Sequence, residues 1–282
     1  MFPEQLQVHI APLIDELVDR ILFEYGDVFD AFSGGILRWL LAIERGLRAL
    51  PWWLVIAGAG VAARLLLRRW SASLALMALL FMVGMFGLWD LATETMAIIV
   101  AAVVLALLIG LPVGVAMAEF RGLRSVIVPV LDAMQTLPSF VYLIPAMMLF
   151  GLGKVPAVLA TLIYSVPPVI RLTDLGLRQV PAGVQEAAAA FGANRWQLLW
   201  EVRLPLAVPS ILAGVNQTTM MALAMVVVAS MIGARGLGQE VLLSINRIEV
   251  GRGFEAGLSV VALAIVIDRL TQGFARRFEP PR

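Results

Sequence analysis

Few side chains in this sequence could do chemistry, and they stand in apolar surroundings. Asp132, Gln135, Thr136 and Ser139 interrupt one apolar stretch, and Asn216-Gln217-Thr218-Thr219 interrupts another. At membrane depth polar groups survive only where protein or a wet cavity surrounds them, and a carboxylate there is costly enough to suggest function. Asp132, with Gln135 beside it, is expected to serve a pathway or gate. The alternative is a carboxylate near the end of its span that caps or pairs with Arg124 or Arg171. Asn216 or Gln217 is expected to face a conduit; the alternative is hydrogen bonding between helices, since no single helix face holds all four residues. Asp268-Arg269 near the end of the last apolar stretch reads as side chains snorkelling to an interface. None of these sets is catalytic. One histidine, His9, and no cysteine leave no Cys–His nucleophile and no transition-metal cluster. Lys154 follows Gly151-Leu152-Gly153, but Met148 stands where a phosphate-binding P-loop needs its first glycine. No catalytic residue, metal or cofactor is expected in this chain.

The elements that position these residues must be membrane helices. The chain has 282 residues, 61% hydrophobic and only 15% charged, against about 45–50% and about 25% in ordinary globular domains. A formal net charge of +1 lacks the basic excess of a nucleic-acid binder. Crossing a bilayer takes roughly 20 mainly apolar residues, and candidate spans fall at 51–67, 72–89, 96–118, 126–150, 155–170, 205–232 and 256–272. Pro129, Pro138 and Pro145 interrupt helix hydrogen bonding within 126–150.

Cytoplasmic loops carry the excess of Lys and Arg. From the second span onward the loops alternate: Asp90 and Glu94 without a base, then Arg121 and Arg124, then Lys154, then Arg171, Arg178, Arg195 and Arg203. With Arg64, Arg68, Arg69, Arg276, Arg277 and Arg282, one side collects 12 of the 21 basic residues. That side is expected to be cytoplasmic, placing the C-terminus inside and the N-terminus outside.

Residues 1–50 lack the basic start and compact apolar run of a signal peptide. Ile10, Leu13, Ile14, Leu17, Val18, Ile21, Leu22 and Tyr25 recur at helical spacing between Asp15, Glu16, Asp19 and Arg20, which predicts an amphipathic helix ended by Gly26. A second helical stretch is expected from Ile36 to Leu50, after a break at Ser33-Gly34-Gly35, with Trp39, Trp52 and Trp53 in an interfacial belt.

Between the fifth and sixth spans, residues 171–204 form a stretch too long to be a mere connection. Glu186 to Ala190 is strong helix former, Gly192 breaks it, Asn194 can cap a second helical piece, and Leu204-Pro205 opens the next span. The result is a helix–turn–helix knob with Trp196, Leu199 and Trp200 as apolar anchors. It suits either a partner's groove, where buried aromatics dominate binding energy, or the membrane surface.

Glu186-Ala187-Ala188, three residues, Gly192, nine residues, then Val202-Arg203-Leu204-Pro205 resembles the EAA signature of the membrane subunits of bacterial binding-protein-dependent ABC importers, with Val202 in place of the usual Ile. The likeness covers roughly residues 90–275. Pro129 to Phe140, Gly233-Ala234-Arg235-Gly236-Leu237-Gly238 and Gly257 to Arg269 look like the glycine betaine/proline/choline branch. The resemblance implies an all-α integral membrane fold of about seven transmembrane helices with the type I importer core. With the spans above, this places the importer core at 90–275, with its cytoplasmic coupling loop at 171–204, after two peripheral spans at 51–89 and before a cytoplasmic tail at 276–282; the N-terminal amphipathic helices at 1–50 lie outside the family's common core, and the resemblance carries nothing onto them. Glu186, Ala187, Ala188 and Gly192 become ATPase-docking residues, with Leu204 and Pro205 closing the motif. From their own conformational freedom, Gly233, Gly236 and Gly238 permit a tight external turn, a candidate gate. The resemblance also implies two ABC ATPase subunits carrying ATP and magnesium, a second copy of the permease, an extracytoplasmic substrate-binding protein, and import of a compatible solute. The alternatives are an importer of another small solute such as an amino acid, or a channel or secondary carrier with no ATPase.

Overall fold

The computed structural model describes residues 11–278; His9, Ile10 and Arg282 lie outside them. The described chain is helical, without strands: α1 Ala11–Ala49, α2 Trp52–Leu67, α3 Trp70–Met85, α4 Trp89–Glu119, α5 Arg121–Thr136, α6 Leu143–Phe150, α7 Lys154–Arg178, α8 Ala182–Ala190, the single turn α9 Arg195–Gln197, a π-helix over Leu198–Arg203, α10 Leu204–Ala229, α11 Leu237–Arg247 and α12 Val250–Ala275. Four continuous helical stretches, α4, α7, Arg195–Ile232 and Val250–Phe278, are each long and apolar enough to cross a membrane. The pairs α1/α2, bent by 91°, and α5/α6, bent by 111°, meet the same test as broken spans, and α3 is a shorter apolar helix. The protein is a multi-pass membrane protein.

The bundle is organised around α7, whose most apolar window is 72% buried. It crosses α4 and α10 at glycines, because only a missing side chain lets two backbones come so close. A Cβ on Gly114 would lie 2.6 Å from the Thr173 Cβ and 2.8 Å from the Ile170 carbonyl oxygen. On the other side, a Cβ on Gly214 would stand 3.1 Å from the Leu172 Cβ, and one on Gly176 2.7 Å from the Ser210 Cβ. Gly110 and Gly114 form a small-xxx-small pair. The main core fills these crossings with Ala97, Ala101, Val158, Val169, Ala222 and Met225. A second cluster joins α2, α3 and α12 through Ile56, Leu76, Val83 and Leu263.

Three expectations are corrected. The helix predicted to end at Gly26 and restart after Ser33-Gly34-Gly35 is continuous from Ala11 to Ala49. None of those glycines has a positive φ, so the helix absorbs their propensity cost instead of turning. The span expected over 126–150 is broken: Leu137 is extended, and Pro138 opens a short 3₁₀ turn at Ser139–Tyr142 before α6. A proline disfavours helical backbone in the residue before it. The long connection begins after Arg178, not at Arg171, because α7 accommodates Pro167 and Pro168 within a continuous helix. Between α10 and α12 the chain forms the further short helix α11.

Two ends of the bundle can be told apart. α4 and α12 start, and α10 finishes, at the end that carries Lys154; α7 finishes and α10 starts at the end that carries α8. Only the later part of α1 packs on the core, through Ile36 and Leu40, whereas Leu13, Leu17, Phe23 and Val28 are exposed.

Candidate functional site

The predicted docking knob is built at the α8 end. Pro181 starts α8, its fixed φ suiting the entry to a helix, and Gln185 Nε2 reaches back to donate to the Val180 carbonyl at 2.9 Å. No residue of α8 is buried; Glu186 and Ala187 are exposed and Ala188 half-buried. After Ala190 the chain reverses at Gly192, whose φ of +87 is left-handed and whose missing Cβ would meet no atom within 4 Å. A Cβ at Gly192 would thus clash with nothing in this chain, though the left-handed backbone strains any residue but glycine there. Asn194 then closes a capping box, its Oδ1 accepting from the Gln197 N–H and Gln197 Oε1 accepting from the Asn194 N–H, both at 2.9 Å. The following π-helix winds the chain into α10 through Leu204 and Pro205, with a proline in its first turn. Such π segments recur at functional sites.

Two contacts fasten the knob to the bundle. Leu199, 6% exposed, packs with Leu177 and Ala207 in a small core of its own, and Arg203 donates to Glu119 at the end of α4. Of the three apolar anchors expected, Leu199 thus points inward, while Trp196 and Trp200 remain 71% and 63% exposed. Phe191, 94% exposed beside Gly192, joins them. Sequence reasoning missed it because an apolar residue before a helix-ending glycine reads as packing. The small segment therefore offers an unpartnered apolar surface around a glycine turn on a fixed base.

The candidate pathway residues are separated by the fold. Asp132 is paired with Arg171 across α5 and α7, one of the two partners expected; Arg124 pairs instead with Asp174 at 3.1 Å. Gln135 lies exposed one turn further along α5. Asn216 does not face outward: its Nδ2 donates to Asp268 Oδ1 at 3.3 Å and its Oδ1 accepts from Thr271 on α12. Asp268 also accepts from Gln272 at 2.6 Å, so it belongs to this α10–α12 network and does not snorkel. Gln217 is exposed, whereas Thr218 and Thr219 are buried.

At the opposite end, Gly233 (φ +86) and Gly236 (φ +152) make the predicted turn. Gly238 lies instead within α11, where a Cβ would come 2.8 Å from the Val227 Cα. The turn is tied down by the Leu237 N–H donating to Thr95 Oγ1 at 2.9 Å and the Gly153 N–H donating to the Ile232 carbonyl at 2.9 Å. Beside it lies an ion network not foreseen from sequence. Buried Glu94 receives Arg48 at 2.7 Å, Lys154 at 3.4 Å and Arg235 at 3.5 Å, and Glu44 receives Lys154 at 2.7 Å and Arg48 at 2.9 Å. Glu94 had been placed in a loop before the third span; α4 begins at Trp89 and carries it inward.

The family described as binding-protein-dependent transport system inner membrane component matches residues 110–280. The glycine betaine transport system permease protein OpuAB of Bacillus subtilis is 40% identical over 266 residues, covering 94% of each chain. The glycine betaine/carnitine transport permease protein GbuB of Listeria monocytogenes is 40% identical over 278 residues, covering 96% of each. The glycine betaine/proline betaine permease ProW of Escherichia coli is 51% identical over 197 residues, 70% of this chain and 56% of that protein. Among solved structures, the inward-facing MetNI methionine ABC transporter aligns with a TM-score of 0.60 at 22% identity, over 66% of this chain and 94% of that one. This last likeness shows the type I importer permease fold.

Proposed function

The chain belongs to the family of binding-protein-dependent transport system inner membrane components, and on that footing we propose that two copies of it form the conduit of an ATP-driven importer for glycine betaine or a related compatible solute. The substrate class is carried over from relatives that match over nearly their whole length. In each copy the segment Ala182–Arg203 is the docking site for one of two ATPase subunits, which hold the ATP and magnesium. A separate binding protein delivers the solute at the Lys154 end, the extracytoplasmic side on the distribution of basic residues. The observation that carries this reading is the knob: α8 without a buried residue, Gly192 opening onto empty space, and Phe191, Trp196 and Trp200 exposed around it.

The geometry also suggests how ATPase closure reaches the conduit. Only Gln179 to Pro181 separate α7 from α8, and the Gln185 bond shortens the effective linker. A push on α8 is therefore delivered to α7, whose glycine crossings with α4 and α10 leave no slack for it to move alone. Asp132, Gln135 and Gln217 lie on the uncovered side of α5 and α10 and line the passage, with the Asp132–Arg171 pair set to open or close; Asn216 holds α10 to α12. The Gly233–Gly238 turn forms the outer gate, braced by Glu94. Reconstitution with the ATPase and the binding protein tests the reading. ATP-dependent uptake of radiolabelled glycine betaine is expected; ATP-independent uptake, or transport of an amino acid in its place, would overturn it.

A further inference from the structure

A cavity of about 530 Å³ opens at the α8 end, between the bundle and the docking segment. Three elements send four arginines to its wall: Arg121 and Arg124 come from the first turn of α5, Arg178 from the last turn of α7, and Arg203 from the π-helix, while Gln185 of α8 completes the rim. The only carboxylates paired with these guanidiniums among the described residues are Asp174, shared by Arg124 and Arg178, and Glu119, bound to Arg203. The cavity thus keeps a surplus of two positive charges. Arg121 has no carboxylate partner among the described residues, and the buried Nε of Arg203 has no hydrogen-bond partner. The α5 N-terminus opens on the same space, adding unpaired backbone N–H groups and the positive end of a 16-residue helix. Arginine forks in partly desolvated surroundings match phosphate oxygens in shape as well as charge.

We infer that this cavity binds a phosphate-bearing anion, either a phospholipid headgroup or a soluble phosphate. The convergence of guanidiniums from α5, α7 and the π-helix with Gln185 of α8 means that a bound phosphate bridges the docking segment to the bundle and stiffens the joint between α7 and α8. Nothing in this depends on which solute is carried.

The full-length chain in neutral detergent is melted while its tryptophan fluorescence is followed, with phosphatidylglycerol or phosphatidylcholine in the micelles, or with inorganic pyrophosphate against chloride at equal ionic strength. A ligand at about 100 times its dissociation constant is expected to raise the midpoint by about 5 °C. Arg121→Gln, an exposed substitution, removes at least half of that rise, Arg178→Gln does the same, and Arg276→Gln, at a separate basic cavity, leaves it unchanged. A rise with phosphatidylglycerol alone assigns the site to a lipid headgroup, and a rise with pyrophosphate alone to a soluble phosphate. No rise with either ligand, or an equal rise in the Arg121 and Arg178 variants, overturns the inference.

Discussion

Asp132 is the residue whose chemistry the sequence flagged first, and its surroundings set what its loss should do. Its side chain is 58% exposed and that of Arg171 34% exposed, so solvent screens the pair and its contribution to stability is below about 1 kcal/mol. Asp132→Asn should therefore leave the melting midpoint within a few degrees of wild type while reducing solute uptake, and the exchange Asp132→Arg with Arg171→Asp should recover part of the uptake. Equal uptake in wild type and Asp132→Asn would remove the gate role. The polar type of Asn216 and Gln217 was legible, but their partners were not: which of two adjacent residues faces α12 depends on the rotation of α10, set by Gly214 against α7. Glu94 was misplaced for a related reason, since a carboxylate in the second turn of α4 looks like a loop residue until Arg48, Lys154 and Arg235 converge on it from three other segments.

At the level of elements, the long apolar helices were legible from composition alone, because the bilayer dictates both length and hydropathy. Their breaks were not equally legible. The Leu137-Pro138 break removes a hydrogen bond and imposes extended backbone, whereas Gly34-Gly35 in α1 merely permits a turn that tertiary packing of Ile36 and Leu40 on the core overrides. This makes a prediction. A Cβ at either glycine meets nothing within 4 Å, so Gly34→Ala with Gly35→Ala should stabilise α1 by about 1–2 kcal/mol in total, seen as a higher helical melting midpoint by circular dichroism; a lower midpoint would mean that a bend there matters. The α7–α8 joint makes another. Three glycines inserted after Val180 should leave ATPase binding intact but abolish ATP-driven uptake, measured in proteoliposomes, because the push on α8 would be lost in the linker. Uptake at the wild-type rate would show that the force takes another route.

At the scale of the whole molecule, α10 keeps an exposed stripe that includes a polar side chain. Leu206, Ala213, Gln217 and Ala224 are exposed along α10 at spacings that place them on one stripe, and α5, with Leu131 its one buried residue, is largely bare as well. A second copy related by two-fold symmetry would meet itself there, enclosing the polar side chains that one chain alone cannot surround. The chain contains no cysteine, so a single Gln217→Cys should cross-link two copies in membranes with a short bifunctional thiol reagent, while a cysteine at Leu74 on the outer face of α3 should not; the reverse result would place the paired surface elsewhere. The central claim, however, is that the segment around Gly192 receives an ATPase. Its most direct measurement is copurification of the ATPase subunit of the same importer with the wild-type chain and with Gly192→Asp, each first checked for an unchanged melting midpoint. The account predicts that the wild type retains the ATPase and that the variant loses it by about tenfold or more, equivalent to at least about 1.4 kcal/mol of binding. A wild-type chain that retains no ATPase, or a Gly192→Asp chain that retains as much as the wild type, would contradict it.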